Sequence, residues 1–215
     1  MTDQPAPSSF AIEPAIMFGW KKTWQHIGFF LPLMILVGII EWMTQTDFSF
    51  RFSETFQPAH GSLLTSLAGY LVNILVSVGL INVALQIARG QAPRWQDLIA
   101  HDRVILRYIG GAIIYGIMVI VGLLIFIFPG IYLTLRYGLF RYFIVDKNSP
   151  VLDSFQQSSV ITNGVKWNLL AFYIVLGMIN VIGALFFMTG LIITVPLTVM
   201  AEVHIYRQLT GQQTA

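Results

Sequence analysis

Six apolar segments separated by polar connections dominate the hydrophobic pattern of the chain. A helix needs about 20 apolar residues to cross the hydrocarbon core of a bilayer, so the pattern predicts six transmembrane helices. The segments lie at 27–43, 63–88, 104–128, 131–145, 167–188 and 191–209. The fourth is short and contains two arginines, so it spans only if it continues the preceding helix or if its polar ends reach the headgroups.

Very short turns connect two pairs of these segments. Pro129-Gly130 separates the third from the fourth, and Thr189-Gly190 separates the fifth from the sixth. Helices joined by so short a turn run antiparallel, which predicts helical hairpins. Polar stretches at 10–25, 93–102 and 150–163 precede the hairpins, each with a proline at or near its start, which favours short amphipathic helices lying in the membrane interface.

An internal repeat accounts for this layout. Gly116 and Gly122 match Gly177 and Gly183 at a common offset, and Pro93 has a counterpart in Pro150. Two glycine matches in apolar sequence also arise by chance, so the spacing leaves both readings open. The predicted fold is all-α: a polytopic membrane protein with six transmembrane helices in three hairpins, each preceded by a short interfacial helix.

Composition agrees with lipid as the solvent of the chain. Of its 215 residues, 56% are hydrophobic and 10% are charged, against roughly 25% charged in a typical soluble domain. We expect one integral membrane domain over 1–215, with flexible ends at 1–9 and 210–215 and an extracytoplasmic loop at 44–62. Cysteine is absent, which excludes disulfides and thiolate chemistry.

The basic residues are distributed unevenly between the two predicted sides of the membrane. Short cytoplasmic loops are enriched in Lys and Arg, so the basic side is expected to be the cytoplasm, with both termini there and the first apolar segment uncleaved. The residues on that side are Lys21, Lys22, Arg89, Arg94, Arg103, Arg107, Lys147, Lys166 and Arg207. The sequence therefore predicts a bacterial inner-membrane protein with both ends inside the cell.

Charged residues within the predicted spans are the first candidate site. Arg136 and Arg141 lie in the fourth segment, and Glu202 is the acidic residue well inside the sixth. An arginine at membrane depth needs a partner or water, so we expect Glu202 to pair with Arg136 or Arg141. The pair either fixes helix packing or forms a functional polar site, a cavity that Asn73 and Asn180 would also line.

A second candidate site lies on the connection between the second and third segments. Arg89, Arg94, Arg103 and Arg107 are interleaved there with aromatic residues. Juxtamembrane cations attract anionic headgroups, so we expect lipid contacts on the cytoplasmic side and no nucleic acid. The outer loop alternates phenylalanine with polar residues over 48–56, which is typical of an aromatic membrane anchor but also suits contact with a protein partner.

No motif of catalysis or cofactor binding is present in the sequence. The four histidines are scattered without ligand spacing, and no GxSxG, phosphate loop or HExxH pattern occurs. We therefore predict no metal, no cofactor and no catalytic residues.

The second half of the chain resembles a known family. FPGI at 128–131, FIVDK at 143–147, DSFQQSS at 153–159 and IYRQL at 205–209 are similar to the YciC-like bacterial inner-membrane proteins. More distantly they resemble the membrane domain of some glycerophosphodiester phosphodiesterases. The resemblance implies a multi-pass fold and an inner-membrane location. It carries no catalytic residues, because the phosphodiesterase chemistry belongs to a separate soluble domain.

The sequence favours a non-catalytic membrane scaffold that contacts lipids, a membrane-protein partner or a second copy of itself. A small transporter with a midplane polar site is the alternative, since hairpin repeats around such a site build many transporters. An intramembrane enzyme is third and would need another titratable group within hydrogen-bond reach of Glu202.

Overall fold

The computed structural model describes residues 10–44, 63–98, 102–185 and 190–212, and the regular elements in these ranges are all helical. The predicted all-α class is therefore confirmed. The helices are α1 Ile12–Gln25, α2 Ile27–Thr44, α3 Leu63–Ala88, α4 Asp102–Ile125, α5 Ile127–Tyr137, α6 Phe140–Lys147, α7 Val151–Ile161, α8 Lys166–Leu185 and α9 Leu191–Leu209. Of the predicted flexible ends, 1–9 and the last three residues of 210–215 lie outside the described residues. The same holds for the predicted outer loop 44–62 with its phenylalanines, except for Thr44, which ends α2.

Two of the three predicted amphipathic stretches, 10–25 and 150–163, form α-helices, and the described start of the middle stretch, 93–98, forms a short turn. α1 occupies the first stretch, and α7 begins directly after Pro150. Phe155 and Ser158 of α7 are buried, as is Thr162 directly after the helix. The middle stretch contains a single 3₁₀ turn, Trp95–Leu98, whose Asp97 carbonyl accepts a hydrogen bond from Asn82 Nδ2 at 2.7 Å.

A sharp bend at His26 separates α1 from α2. The N–H of His26 closes α1 on the Lys22 carbonyl at 3.1 Å, and the carbonyl of His26 accepts the first bonds of α2. The two helix axes differ by 87°. α1 consequently turns away from α2 and packs along α9, where Gly19 approaches so closely that a Cβ would lie 2.7 Å from the Leu197 carbonyl oxygen.

The first described hairpin joins α4 to α5, but its break does not lie at Pro129-Gly130 as predicted. Phe126 is extended at φ −164° and ψ 151°, and α5 begins at the next residue. Pro129 falls in the first turn of α5, where a missing N–H costs no helical hydrogen bond. Gly130 then allows α4 to approach, since a Cβ on it would lie 2.4 Å from Leu123 Cδ2.

The fourth apolar segment is not one helix. α5 ends at Tyr137, the turn Gly138-Leu139 follows, and α6 continues to Lys147. α6 stops where Asn148 adopts the left-handed conformation at φ 49°, a common helix ending for asparagine. The segment that carries both candidate arginines therefore consists of two short helices.

The second described hairpin, α8 with α9, uses glycines in the same way as the first. A Cβ on Gly190 would lie 2.3 Å from the Gly183 carbonyl oxygen. Gly122 is the counterpart of Gly183 in the first hairpin, and a Cβ on Gly122 would lie 3.1 Å from Gly130 Cα. One matched pair of the predicted repeat, Gly122 and Gly183, thus marks the close approach in both hairpins, whereas a Cβ on Gly116 or Gly177 would meet nothing within 4 Å.

The core gathers around the C-terminal halves of α3 and α9 and around α6. Side chains fully buried there include Leu85, Ile87, Leu139, Phe143, Ile144, Met200 and Tyr206. In contrast, large apolar side chains are exposed along α4 and at the hairpin ends, and Leu124, Phe128 and Leu185 are 80%, 83% and 76% exposed. Surfaces this apolar are stable in lipid and unfavourable in water.

In the described ranges, two helices are long and apolar enough to cross a membrane, Arg103–Ile125 and Lys166–Leu185. A third candidate exists if the bent pair formed by Ile12–Gln25 and Ile27–Ile39 is counted as one span. The apolar helices are compatible with a membrane protein. Six spans are not confirmed, because among the described helices only these two, or three with the bent pair, qualify by length and composition.

Candidate functional site

The centre of the candidate site is an ion pair between Arg141 on α6 and Glu202 on α9. Arg141 Nη2 donates to Glu202 Oε2, and the phenol of Tyr142 donates to the same oxygen. The Glu202 side chain is only 7% exposed, whereas that of Arg141 is 32% exposed. A buried carboxylate is stable only when it is paired and hydrogen-bonded, and here both requirements are met by neighbours in α6.

Aromatic packing fixes the donors of the pair. Tyr142 is almost fully buried and stacks on Tyr206, with ring centroids 5.4 Å apart and an interplanar angle of 26°. Tyr206 belongs to α9, as Glu202 does, so the stacking and the ion pair act between the same two helices. The position of α6 against α9 is therefore set by contacts at both Arg141 and Tyr142.

Two further tyrosines border the pair at the break between α5 and α6. A Cβ on Gly138 would lie 3.7 Å from the Tyr173 hydroxyl and 3.8 Å from the Tyr115 hydroxyl, so both phenols meet at this turn. Tyr115 donates to the Thr134 carbonyl at 3.4 Å. Arg141 Nε is buried and has no hydrogen-bond acceptor among the described residues. Glu202 is thus buried in the pair, while the Arg141 guanidinium keeps one N–H without an acceptor among the described residues.

Arg136, the other predicted partner of Glu202, lies elsewhere. Its guanidinium is 5.4 Å from the ring centroid of Tyr137, and Nη1 donates to the Tyr132 hydroxyl at 3.4 Å. Lys166 Nζ donates to that same hydroxyl at 3.0 Å. The sequence left the choice between Arg136 and Arg141 open, and the contacts select Arg141.

The two predicted asparagines do not join the pair. Asn180 Nδ2 donates to Thr198 Oγ1 at 2.9 Å and to the Leu176 carbonyl at 3.0 Å, which links α8 to α9. No hydrogen bond between described residues connects Asn73 to Arg141 or Glu202. Asn180 therefore contributes to helix packing, and no hydrogen bond between described residues joins either asparagine to the ion pair.

Of the four arginines predicted to contact lipid, two are held by the chain itself. Arg89 forms an ion pair with Asp146, whose side chain is 2% exposed and also accepts from the Tyr206 hydroxyl at 2.9 Å. Arg107 Nη1 donates to Asn148 Oδ1 at 2.7 Å. Arg94 and Arg103 are exposed, as a lipid contact requires.

The sequence analysis missed the residues that complete these contacts, namely Tyr142, Tyr115, Tyr173 and Asp146. A signal for Tyr142 was available, because it follows Arg141 directly and a buried phenol normally finds an acceptor. No comparable signal marked Tyr115 and Tyr173, which meet only because the chain turns at Gly138. Within the described part of the chain, no three His, Asp or Glu side chains are grouped as metal ligands.

Comparisons with protein-family models, with curated proteins and with solved structures find no match for this chain.

Proposed function

We propose that this chain is a non-catalytic multi-pass protein of the bacterial inner membrane, a scaffold that contacts anionic lipid or a partner protein at its cytoplasmic side. In this proposal the six membrane segments are α2, α3, α4, the broken pair α5 and α6, α8, and α9. The resemblance of the 128–209 region to the YciC-like proteins supports the same assignment.

The observation that carries the scaffold proposal is the closure of Glu202 by the chain itself. Its Oε2 atom already accepts from Arg141 and Tyr142, and its side chain is 7% exposed. With this oxygen held by both donors, the carboxylate joins α6 to α9. Breaking a buried pair costs about 3–5 kcal/mol, which favours a structural role.

The proposed orientation, with the C-terminal end in the cytoplasm, is supported by the contacts of Asp146. Arg89 from the end of α3 reaches Asp146 at the end of α6, and Gln212 after α9 donates to Asp146 Oδ2 at 3.4 Å. The second and fourth connections and the C-terminal end thus meet on one side, the side that is rich in Lys and Arg. The excess of Lys and Arg in cytoplasmic loops favours the cytoplasm as that side.

A transporter is the second candidate, and one observation favours it. The helix break at Gly138 lies beside Arg141, which is 32% exposed and keeps a buried Nε donor without an acceptor among the described residues. Broken helices beside charged side chains form the substrate sites of many transporters. The two candidates differ in whether water reaches the pair from one side of the membrane.

Single-cysteine labelling distinguishes them, and the absence of native cysteine makes every introduced thiol unique. Tyr173→Cys places a thiol beside the pair, and Gln91→Cys places one on the exposed connection after α3. A membrane-impermeant thiol reagent reaches the cytoplasmic side in inverted vesicles and the outer side in right-side-out vesicles. If the protein is a scaffold, position 173 should remain unlabelled in both preparations. Position 91 should be labelled from the cytoplasmic side only.

Labelling in SDS serves as the control that both thiols are reactive. Rapid labelling of position 173 from one side of the folded protein would overturn the scaffold in favour of transport. Labelling of position 91 from the outer side would overturn the orientation.

A further inference from the structure

Two cations converge on one phenol outside the Arg141–Glu202 pair. Tyr132 on α5 accepts from Lys166 Nζ at 3.0 Å and from Arg136 Nη1 at 3.4 Å, and the Lys166 ammonium lies 4.5 Å from the centroid of the same ring. Neither cation forms an ion pair with a carboxylate in the ranges that the structure describes. Bringing like charges together is unfavourable unless an anion joins them.

The backbone that carries these side chains is fixed. The Arg136 carbonyl accepts from Ser158 Oγ and from Thr162 Oγ1, both at 3.0 Å, which ties the end of α5 to α7. Thr162 lies four residues before Lys166, and the intervening Val165 is fully buried. The distance between Arg136 and Lys166 is therefore held by packed elements, so little ordering would be needed when a ligand binds.

The chemistry of the cluster is that of an oxyanion site. The phenol oxygen of Tyr132 accepts from both cations, which leaves its own O–H to donate outward. The ammonium and the guanidinium each keep further N–H groups, so all three side chains can donate to one anion. Charge-assisted bonds from Arg and Lys are the usual means by which proteins hold phosphate.

The place of the cluster also fits a headgroup. Lys166 begins α8, one of the two helices long and apolar enough to span, so it lies where a span would meet the headgroup layer. Its neighbour Trp167 is 81% exposed, as expected of an aromatic side chain at the membrane interface. Arg89 and Arg107, in contrast, are already held by Asp146 and Asn148.

We propose that Tyr132, Arg136 and Lys166 bind the phosphate of an anionic lipid headgroup. This site rests on the lipid-contacting scaffold proposed above and names where that contact is made. A soluble phosphate ester offers the same oxyanion, so the test separates the two sources.

The full-length protein in detergent is titrated with dioctanoyl phosphatidylglycerol, with dioctanoyl phosphatidylcholine and with inorganic phosphate, and bound lipid is counted by native mass spectrometry. A cation at an anionic lipid surface strengthens binding by about fivefold. Removing two cations in R136Q/K166Q should therefore weaken phosphatidylglycerol binding roughly 25-fold. Tyr132→Phe keeps both charges and should lose about fivefold, as expected for one hydrogen bond.

The matched control is K21Q/K147Q, which removes the same charge from two exposed lysines that are not among the predicted lipid contacts. An equal loss in the control and in R136Q/K166Q would overturn the site, because bulk charge would then explain both. If R136Q/K166Q does not fold, Lys166→Gln and Tyr132→Phe give the same comparison, and unchanged binding in both overturns the site. If inorganic phosphate displaces phosphatidylglycerol, the site binds an oxyanion from a soluble source, and the lipid assignment is overturned. If inorganic phosphate does not compete, the lipid is the ligand.

The lipid preference of the wild-type protein shows whether a negative result concerns lipid contact as the function or only this site. If it shows no preference for phosphatidylglycerol over phosphatidylcholine, lipid contact as the function fails together with the site. If it shows the preference and R136Q/K166Q keeps it, only the site fails.

Discussion

Arg141 of α6 forms an ion pair with Glu202 of α9, a residue 61 positions further along the chain. α6 has only 8 residues, too few to be stable as an isolated helix, so its contacts with α9 must hold it in place. The pair is the polar part of that contact, and the stacking of Tyr142 on Tyr206 is the apolar part. Loss of the carboxylate would remove the acceptor of two donors at once.

Glu202→Ala should therefore destabilise the fold by about 3–5 kcal/mol, the usual cost of stranding one partner of a buried ion pair. The expected measurement is a large drop in thermal unfolding temperature in detergent. The double variant Arg141→Met with Glu202→Met removes both charges together and keeps much of the volume. Replacing a whole pair in this way is often neutral, so the double variant should recover part of the lost stability, and the rest stays lost because the buried Tyr142 hydroxyl still lacks its acceptor.

Equal stability of Glu202→Ala and the wild-type protein would contradict the pairing. A double variant no more stable than Glu202→Ala would show that the loss comes from packing and not from an unpaired charge.

The sequence predicted that Glu202 pairs with an arginine but could not say which, and the reason is the break at Gly138. In a continuous helix the Arg136 carbonyl would accept from the N–H four residues later. Here it accepts from Ser158 and Thr162 of α7, so tertiary contacts replace the helical bond and the helix restarts at Phe140. The helix break therefore depends on side chains of another element, and no local sequence pattern within 131–145 predicts the break.

The helices themselves were predictable, because hydrophobic runs and prolines fix where they begin and end. The position of the first hairpin turn was not, since Pro129 suits both a turn and the first turn of a helix. The contacts of the surface arginines also could not be predicted from the sequence. Arg89 and Arg107 look like surface cations, yet their partners Asp146 and Asn148 lie at the end of α6, about 40 to 60 residues away.

Gly190→Ala should disrupt the second hairpin. The added Cβ would lie 2.3 Å from the Gly183 carbonyl oxygen, and backbone cannot move aside as a flexible side chain can. Forced overpacking of this kind costs about 1–3 kcal/mol. Gly177→Ala is the matched control in the same hairpin, since a Cβ there meets no atom within 4 Å.

Thermal unfolding of the two variants in the same detergent measures the difference. Gly177→Ala should be equal to the wild-type protein or slightly more stable, because alanine favours a helix over glycine. If Gly190→Ala is as stable as Gly177→Ala, the close approach of α8 and α9 at these glycines is contradicted.

Asp146→Asn tests the contact that gathers the ends of α3, α6 and α9. Asp146 accepts from Arg89, from the Tyr206 hydroxyl at 2.9 Å and from Gln212 at 3.4 Å, and its side chain is 2% exposed. The amide keeps the shape but loses the charge, so Arg89 loses its carboxylate. Hydrogen bonds to charged groups contribute about 1.5–3 kcal/mol, and Arg89 can recover part of this from water because it is 43% exposed.

We therefore expect Asp146→Asn to lower the free energy of unfolding by about 1–2 kcal/mol. Asp153→Asn removes the same charge from an exposed position on α7 and should stay within about 0.5 kcal/mol of the wild-type protein. Reversible unfolding in mixed micelles with increasing SDS gives both values. Because the Asp146 contact joins three helix ends, its loss should also speed proteolysis of the 89–101 connection, and equal cleavage rates in the two variants would argue against that role.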